Sequence, residues 1–270
     1  MSGRREGATL AQRRSDTNGG TAAGERMNGL RNWTLGFLGT AISVVVSDLW
    51  LDRPIALFAH DQLQRFDLSD KLTLIPTAMM ALAAIVFTVL AVRALASRPL
   101  SRFQTVLLLS GASLAVASII KDELKFAFGR TWPETWTHNN PSFIRDGLFG
   151  FFPFEGGGAY ASFPSGHMTA VCTVMAVFWI CYPRFRAFYA LCMAPVAVGL
   201  VGANFHFLSD VIAGGFLGIS AGWLGVALWE MGEHRVRPPD VRSGVRMGCP
   251  VGAAPSGMKG EEGGNRGSQS

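Results

Sequence analysis

The chain has 270 residues, of which 49% are hydrophobic and 16% are charged, and its net charge is +5. A soluble domain usually carries about 25% charged residues, so this composition argues against an ordinary cytoplasmic enzyme. The charges are concentrated at the two ends of the chain, which leaves an apolar middle suited to lipid. The positive residues do not form one stripe, and this distribution argues against nucleic-acid binding.

Three regions follow from the distribution of polar residues. Residues 1–29 are polar and glycine-rich, and residues 231–270 are rich in Gly and of low complexity. We predict that both are disordered cytoplasmic tails. Residues 30–230 are predicted to form a single membrane domain.

Six apolar runs follow the first tail, at about 33–51, 74–96, 103–120, 167–182, 187–206 and 211–229. Most have the roughly 17–25 residues that a membrane-spanning helix needs. Amphipathic helices that would cover a soluble core are not evident. We therefore predict an all-α fold, built as a bundle of six transmembrane helices.

The distribution of Lys and Arg predicts the orientation of this bundle. If the N-terminal tail is cytoplasmic, the inner segments hold 17 Lys and Arg residues and the outer segments hold 7. Because cytoplasmic loops carry an excess of these residues, both termini are predicted to be cytoplasmic. Ionisable residues of four distant segments then meet at the outer face, and such a cluster suggests a functional site.

The fourth apolar run begins at Pro164-Ser165-Gly166-His167. A helix N-terminus leaves backbone N–H groups unpaired and carries a partial positive charge. Ser165 supplies a hydroxyl and Gly166 lets an anion approach the backbone, so the pattern predicts a phosphate site. The alternative is a plain N-cap serine beside an uninvolved histidine.

His206 and Asp210 are four residues apart. They share a helix face if the helix continues through them, and they lie one tight turn apart if it breaks. A carboxylate on one imidazole nitrogen raises the basicity of the other, which would prepare His206 as a nucleophile or a base. The alternative is a structural His–Asp pair at a helix junction.

Lys125 and Arg130 flank a short apolar stretch at the outer end of the third run. They are either phosphate ligands or side chains that extend to the membrane interface beside Trp132 and Trp136. For Lys121, the neighbouring acidic residues favour a surface ion pair. Two histidines, a carboxylate and two cations around a helix N-terminus describe a phosphoryl-transfer site.

These motifs resemble the type 2 phosphatidic acid phosphatase/vanadium haloperoxidase superfamily over about residues 72–229. The family pattern has a Lys followed after six residues by Arg-Pro, then Pro-Ser-Gly-His, and then Ser-Arg, five residues, His, three residues and Asp. The second motif is complete, and the third retains His206 and Asp210. Trp132 stands where the first motif has Arg, and Gly199-Leu200 stands where the third has Ser-Arg. Arg130 is close enough in sequence to replace one of these charges.

The resemblance implies roles for the retained residues. His206 would attack phosphorus and form a phosphohistidine, Asp210 would orient His206, and His167 would protonate the leaving oxygen and then activate water. The phosphate oxygens would be held by four residues: Lys125, Arg130, Ser165 and Gly166. No metal or other cofactor is implied, and the sequence shows no carboxylate cluster suited to a metal.

We therefore expect metal-independent hydrolysis of a lipid phosphate monoester or diphosphate at a bacterial inner membrane, with the site facing the periplasm. Phosphatidic acid, phosphatidylglycerol phosphate, a polyprenyl diphosphate and a lipid A phosphate are candidate substrates, and the bilayer is the expected partner. One alternative is a lipid-to-lipid phosphotransferase. Another is a non-catalytic lipid-binding or transport protein, which the two missing arginines suggest. The phenylalanine-rich segment 149–154 is either a flexible lid or a loop packed on the helix ends.

Overall fold

The computed structural model describes residues 28–63, 69–136 and 139–236. The two predicted tails lie outside the described residues, except at their inner edges, where residues 28–29 and 231–236 extend the adjoining helices. The tails' predicted disorder therefore stays a prediction.

The regular secondary structure of the described residues is helical. These residues form no strand and only isolated β-bridges. Each of the six apolar runs corresponds to one helix, although the fifth run extends four residues beyond the end of its helix at Gly202. A seventh helix of four residues lies between those of the third and fourth runs. In chain order the helices are α1 (Asn28–Leu63), α2 (Ser69–Leu95), α3 (Arg102–Phe128), α4 (Phe143–Asp146), α5 (Gly166–Cys181), α6 (Arg186–Gly202) and α7 (Leu208–Val236). The predicted all-α class is confirmed.

Four helical segments are long and apolar enough to cross a membrane: Asn28–Leu63, Arg102–Phe128, Pro183–Gly202 and Leu208–Gly232. Two further apolar helical segments, Ala81–Leu95 and Gly166–Cys181, are shorter. Large apolar side chains on α1, such as Leu35, Ile42 and Leu49, are more than half exposed, as expected for a lipid-facing helix. The count of six spans and the orientation of the termini stay predictions.

Helix α1 is longer than the first apolar run, which ends at residue 51. It continues to Leu63 through an α-helical segment, Asp52–Phe58, with π-helical turns on either side. Pro54 cannot donate a backbone hydrogen bond to the preceding turn, and the turn directly before this segment is π-helical. Residues 52–63, which follow the first apolar run, therefore belong to the same helix.

Helix α3 also extends beyond its predicted end at residue 120. Its N-cap is Ser101, whose side chain and that of Gln104 form a capping box, and its C-cap is Gly129 in the left-handed conformation. A Cβ on Gly129 would lie 1.8 Å from the carbonyl oxygen of Phe152, so only glycine fits there. Lys121 and Lys125 consequently lie on the last two turns of α3 rather than in a loop.

A stripe of glycines brings α7 against α5. Three glycines of α7 are spaced four residues apart: Gly214, Gly218 and Gly222. If any of them carried a Cβ, that atom would come within 2.7 Å of a backbone oxygen at or near the start of α5 or within it. Small residues at this spacing allow two helix backbones to approach closely. The approach joins the two N-termini, where the Ser165 backbone N–H donates to the Asp210 carbonyl at 3.0 Å.

Candidate active site

The N-terminus of α5 starts where the sequence predicts. Ser165 is the N-cap, and its buried hydroxyl accepts from the backbone N–H of Met168 at 3.4 Å. Gly166 and His167 are in the first turn, where backbone N–H groups have no hydrogen-bond partner within the helix. The half-buried His167 is within electrostatic range of His206, Lys125 and Lys121. The two histidines therefore lie close enough to interact electrostatically.

His206 and Asp210 lie one turn apart rather than on one continuous helix. α6 ends at Gly202, and the backbone N–H of His206 donates to the Leu200 carbonyl at 3.1 Å before α7 begins at Leu208. His206 Nδ1 is 3.5 Å from Asp210 Oδ2. His206 is 4% exposed and Asp210 is fully buried, so this pair lies in a region of low dielectric.

The Asp210 carboxylate is fixed by several donors. Its Oδ2 accepts from Ser162 Oγ at 2.6 Å and from the backbone N–H of Phe207 at 3.0 Å. Ser162 Oγ is also 3.4 Å from His206 Nδ1. Burial lowers the pKa of His206 although Asp210 opposes this shift, which favours a neutral imidazole at pH 7. With Nδ1 facing Asp210, Nε2 is the nitrogen available for attack on a substrate.

Two lysines of α3 lie beside this arrangement, one helical turn apart. Lys125 Nζ donates to the Ala161 carbonyl. Lys121 makes the expected ion pair with Asp122, at 2.6 Å, but its side chain is only 19% exposed. Its Nζ would lie 3.8 Å from a Cβ on Gly166, so Lys121 also reaches the N-terminus of α5. The signal for Lys121 in the sequence was its four-residue spacing from Lys125.

Arg130 has partners that differ from the predicted phosphate. It is fully buried; Nη1 donates to Asp210 Oδ1 at 2.6 Å, while Nη2 donates to Asp48 Oδ1 at 2.6 Å and Asp52 Oδ2 at 2.8 Å. In this geometry both terminal nitrogens already bind carboxylates, which argues against the phosphate-binding role predicted for Arg130. Asp48 and Asp52 are further residues of this site that the motifs do not indicate. Their four-residue spacing at the end of an apolar run was the available signal.

Aromatic rings surround the Arg130 guanidinium. Its Cζ lies 4.5–5.4 Å from three ring centroids, those of Phe149, Phe151 and Phe207. Phe151 also packs edge-to-face on Phe163 at 5.4 Å. These contacts favour the packed-loop interpretation for Phe149 and Phe151.

The two positions that depart from the family pattern have defined surroundings. The Trp132 ring centroid is 5.1 Å from that of His206 and 5.7 Å from Lys125 Nζ, and its Nε1 donates to the Gly158 carbonyl at 2.7 Å. An aromatic ring beside Lys125 offers a cation–π contact where the pattern has a cation. Leu200 is buried and contributes its carbonyl, which holds the His206 backbone. The Asn204 side chain donates to the Ala56 carbonyl at 2.9 Å and joins the turn before His206 to α1.

Two histidines, a buried carboxylate and two lysines at a helix N-terminus define a candidate phosphoryl-transfer site in an apolar helical protein. Residues 106–232 match the family model of the PAP2 superfamily, which confirms the resemblance predicted from the motifs. Helix α1, with Asp48 and Asp52, precedes the matched segment.

Curated relatives include the lipid A 1-phosphatases of Rhizobium etli and Rhizobium johnstonii, each 35% identical over 102 residues. These alignments cover 38% of this chain and 41% and 39% of the two relatives, so the chain spans about two fifths of their length. A solved transmembrane PAP2-type phosphatidylglycerolphosphate phosphatase from Bacillus subtilis matches with 17% identity and a TM-score of 0.46, covering 74% of this chain and 96% of that one.

Proposed function

We propose that this protein is a membrane phosphatase that hydrolyses a lipid phosphate through a phosphohistidine intermediate. The observation that carries the proposal is the pairing of His206 Nδ1 with the buried Asp210 carboxylate, beside the N-terminus of α5. This pairing leaves Nε2 as the nucleophile and places a carboxylate where positive charge develops on the ring. The match of residues 106–232 to the PAP2 superfamily supports the same chemistry.

In the first step, Nε2 of His206 forms a bond to phosphorus while the bond between phosphorus and the lipid oxygen breaks. His167 donates a proton to the departing oxygen, and the dephosphorylated lipid is released. Asp210 stabilises the positive charge on the phosphorylated imidazole.

In the second step, His167 removes a proton from water and the resulting oxygen attacks phosphorus. The bond between phosphorus and Nε2 breaks, inorganic phosphate leaves, and both histidines return to their starting states. One acid–base group thus serves both half-reactions.

The phosphate oxygens are held by the N-terminus of α5 and by lysines of α3. The backbone N–H groups of Gly166 and His167 and the Ser165 hydroxyl supply hydrogen bonds, and Lys125 supplies charge. We add Lys121 to this set because its Nζ reaches Gly166. Arg130 is left out because its terminal nitrogens bind carboxylates.

The proposed substrate is a lipid A phosphate, since two curated relatives are lipid A 1-phosphatases. The substrate's phosphate would lie at the outer face of the membrane and its acyl chains between the apolar helices. A site at the interface suits a substrate that cannot leave the bilayer.

The test uses the full chain in detergent with lipid A, phosphatidic acid, phosphatidylglycerol phosphate and a polyprenyl diphosphate, with a chelator present. We expect phosphate release, fastest from lipid A, which His206→Ala abolishes and His167→Ala lowers by about a hundredfold or more. His60→Ala is the matched control, because His60 is a partly exposed histidine paired with Glu134. Release that survives His206→Ala refutes the mechanism, and labelled phosphate that appears on a second lipid indicates a phosphotransferase.

A further inference from the structure

The five residues around the Arg130 guanidinium form a cluster that joins α1 to the catalytic pair. This arginine cluster consists of Asp48, Asp52, Arg130, Ser209 and Asp210. Four of the five are fully buried, and the Asp48 side chain is 23% exposed. Arg130 contacts all four of the other members.

The charges of the arginine cluster do not cancel within it. One guanidinium faces three carboxylates, which leaves an excess of negative charge beside His206. Buried charges interact strongly and require compensation, so the position of each carboxylate depends on the others. A positive charge on the His206 ring compensates part of this excess, and that is the charge that forms when His206 is phosphorylated.

Arg130 affects Asp210 in two opposing ways. It binds Oδ1 and so fixes the orientation of the carboxylate whose Oδ2 faces His206. It also attracts the negative charge that Asp210 uses to stabilise the imidazole ring. Asp48 and Asp52 share the second guanidinium nitrogen and offset this attraction.

Asp52 makes a further connection between α1 and α7. Its Oδ1 accepts from the backbone N–H of Ser209 at 3.0 Å, and its Oδ2 accepts from the Ser209 hydroxyl. Ser209 directly precedes Asp210 in the first turn of α7. Asp52 therefore holds the helix end that carries Asp210.

We propose that Asp52, Asp48 and Arg130 are positioning residues that orient Asp210 and maintain its negative charge toward His206, so that α1 forms part of the catalytic apparatus. This inference rests on the proposed function, because it assumes that His206 and Asp210 carry out the reaction. The substrate itself does not contact these three residues. Their loss should therefore lower kcat and leave KM nearly unchanged.

The test compares Asp52→Asn with Asp61→Asn in the full chain in detergent. Asp61 is an exposed aspartate on the same helix and serves as the matched control. We expect Asp52→Asn to lower kcat for lipid A phosphate by about tenfold or more and to change KM by less than about twofold. Asp61→Asn should leave both constants at the wild-type values.

The pH profile of kcat/KM separates this role from a purely structural one. The charged and titratable groups facing His206 are Asp210, Lys125 and His167. Loss of the Asp52 charge weakens the negative field at His206 and lowers the pKa of its imidazole. Because attack requires neutral His206, the acid limb should shift to lower pH in Asp52→Asn. A reduced amount of folded protein would not shift it.

Asp48→Asn provides a second variant, since Asp48 is partly exposed and has one contact with Arg130. A smaller fall in kcat, of about threefold to fivefold, is expected with an unchanged melting temperature. The inference is overturned if both folded variants have the wild-type kcat. It is also overturned if kcat falls but the acid limb of the pH profile does not shift. If Asp52→Asn does not fold, the same criteria apply to Asp48→Asn alone. Failure of the proposed function is distinct, because wild-type protein would then release no phosphate or His206→Ala would still release it.

Discussion

Two lysines and one arginine lie near the His206–Asp210 pair, and they differ in how many of their nitrogens are already bound to carboxylates. Both terminal nitrogens of Arg130 bind carboxylates, whereas Lys121 reaches Gly166 at the N-terminus of α5 and Lys125 lies one helical turn further along α3. Trp132 and Leu200 occupy the positions at which the family pattern has arginines. Phosphate binding in this protein is therefore expected to depend on lysines, which act as point charges, more than on the forked geometry of arginine.

This division predicts the effect of removing Lys121. Lys121→Met should raise KM for the lipid phosphate, and the inhibition constant of inorganic phosphate, by about threefold to tenfold, because one charge-assisted contact is lost at a partly exposed position. The kcat should change little. Steady-state kinetics with Asp122→Asn as the control would check this, since that variant removes only the exposed partner of Lys121. Equal effects of both variants would show that Lys121 contributes through its ion pair alone.

At the scale of the elements, the active site depends on the close approach of α5 and α7. Gly214, Gly218 and Gly222 allow this approach, which joins Ser165 to Asp210 by a backbone hydrogen bond. His167 and His206 are on or next to these two helices. Their separation therefore depends on helix packing as well as on the short loop between α6 and α7 that carries His206.

Two glycines of α7 that are three residues apart, Gly215 and Gly218, test this dependence. A Cβ at Gly218 would lie 2.4 Å from the carbonyl oxygen of Thr169, whereas a Cβ at Gly215 would meet the end of the Met168 side chain at 3.7 Å. Gly218→Ala should lower the free energy of unfolding by about 1–3 kcal/mol, the usual cost of overpacking, and should also reduce phosphate release. Gly215→Ala should be neutral or slightly stabilising, since alanine favours a helix. Thermal unfolding in detergent measures the stability of both variants. Equal melting temperatures of Gly218→Ala and Gly215→Ala would contradict the packing argument.

At the scale of the whole molecule, the site residues lie at one end of the helices. Lys121 and Lys125 are near the C-terminus of α3, whereas Ser165 and Asp210 are at the N-termini of α5 and α7. Helices that run in opposite directions thus place their polar ends together. The excess of Lys and Arg in the opposite segments predicts that this end faces away from the cytoplasm.

Reporter fusions check this orientation. A fluorescent protein that folds only in the cytoplasm should fluoresce when it is fused after Ser270. A reporter enzyme that is active only outside the cytoplasm should be active when it is inserted at Gly157, where there is open space, and inactive after Ser270. The reversed pattern would place the site on the cytoplasmic face and would contradict the charge argument.

The sequence by itself determined the helical class and the chemical groups of the site. Long apolar runs must form helices in lipid because their backbone groups have no water to bind. The residues from Pro164 to His167 identify a helix start, and the spacing of His206 and Asp210 identifies a paired imidazole and carboxylate. These features are local, and local patterns can be read along the chain.

Only the tertiary structure decided which partners the charged residues have. Arg130 is 78 residues from Asp52 in sequence, and nothing in the local pattern indicates that they meet at 2.8 Å. Similarly, Lys121 has an adjacent acidic partner in sequence, and its approach to Gly166 depends on how α3 packs against α5. A buried charge is compensated by whichever opposite charges the packing of helices brings near, and that packing depends on the tertiary structure rather than on local sequence.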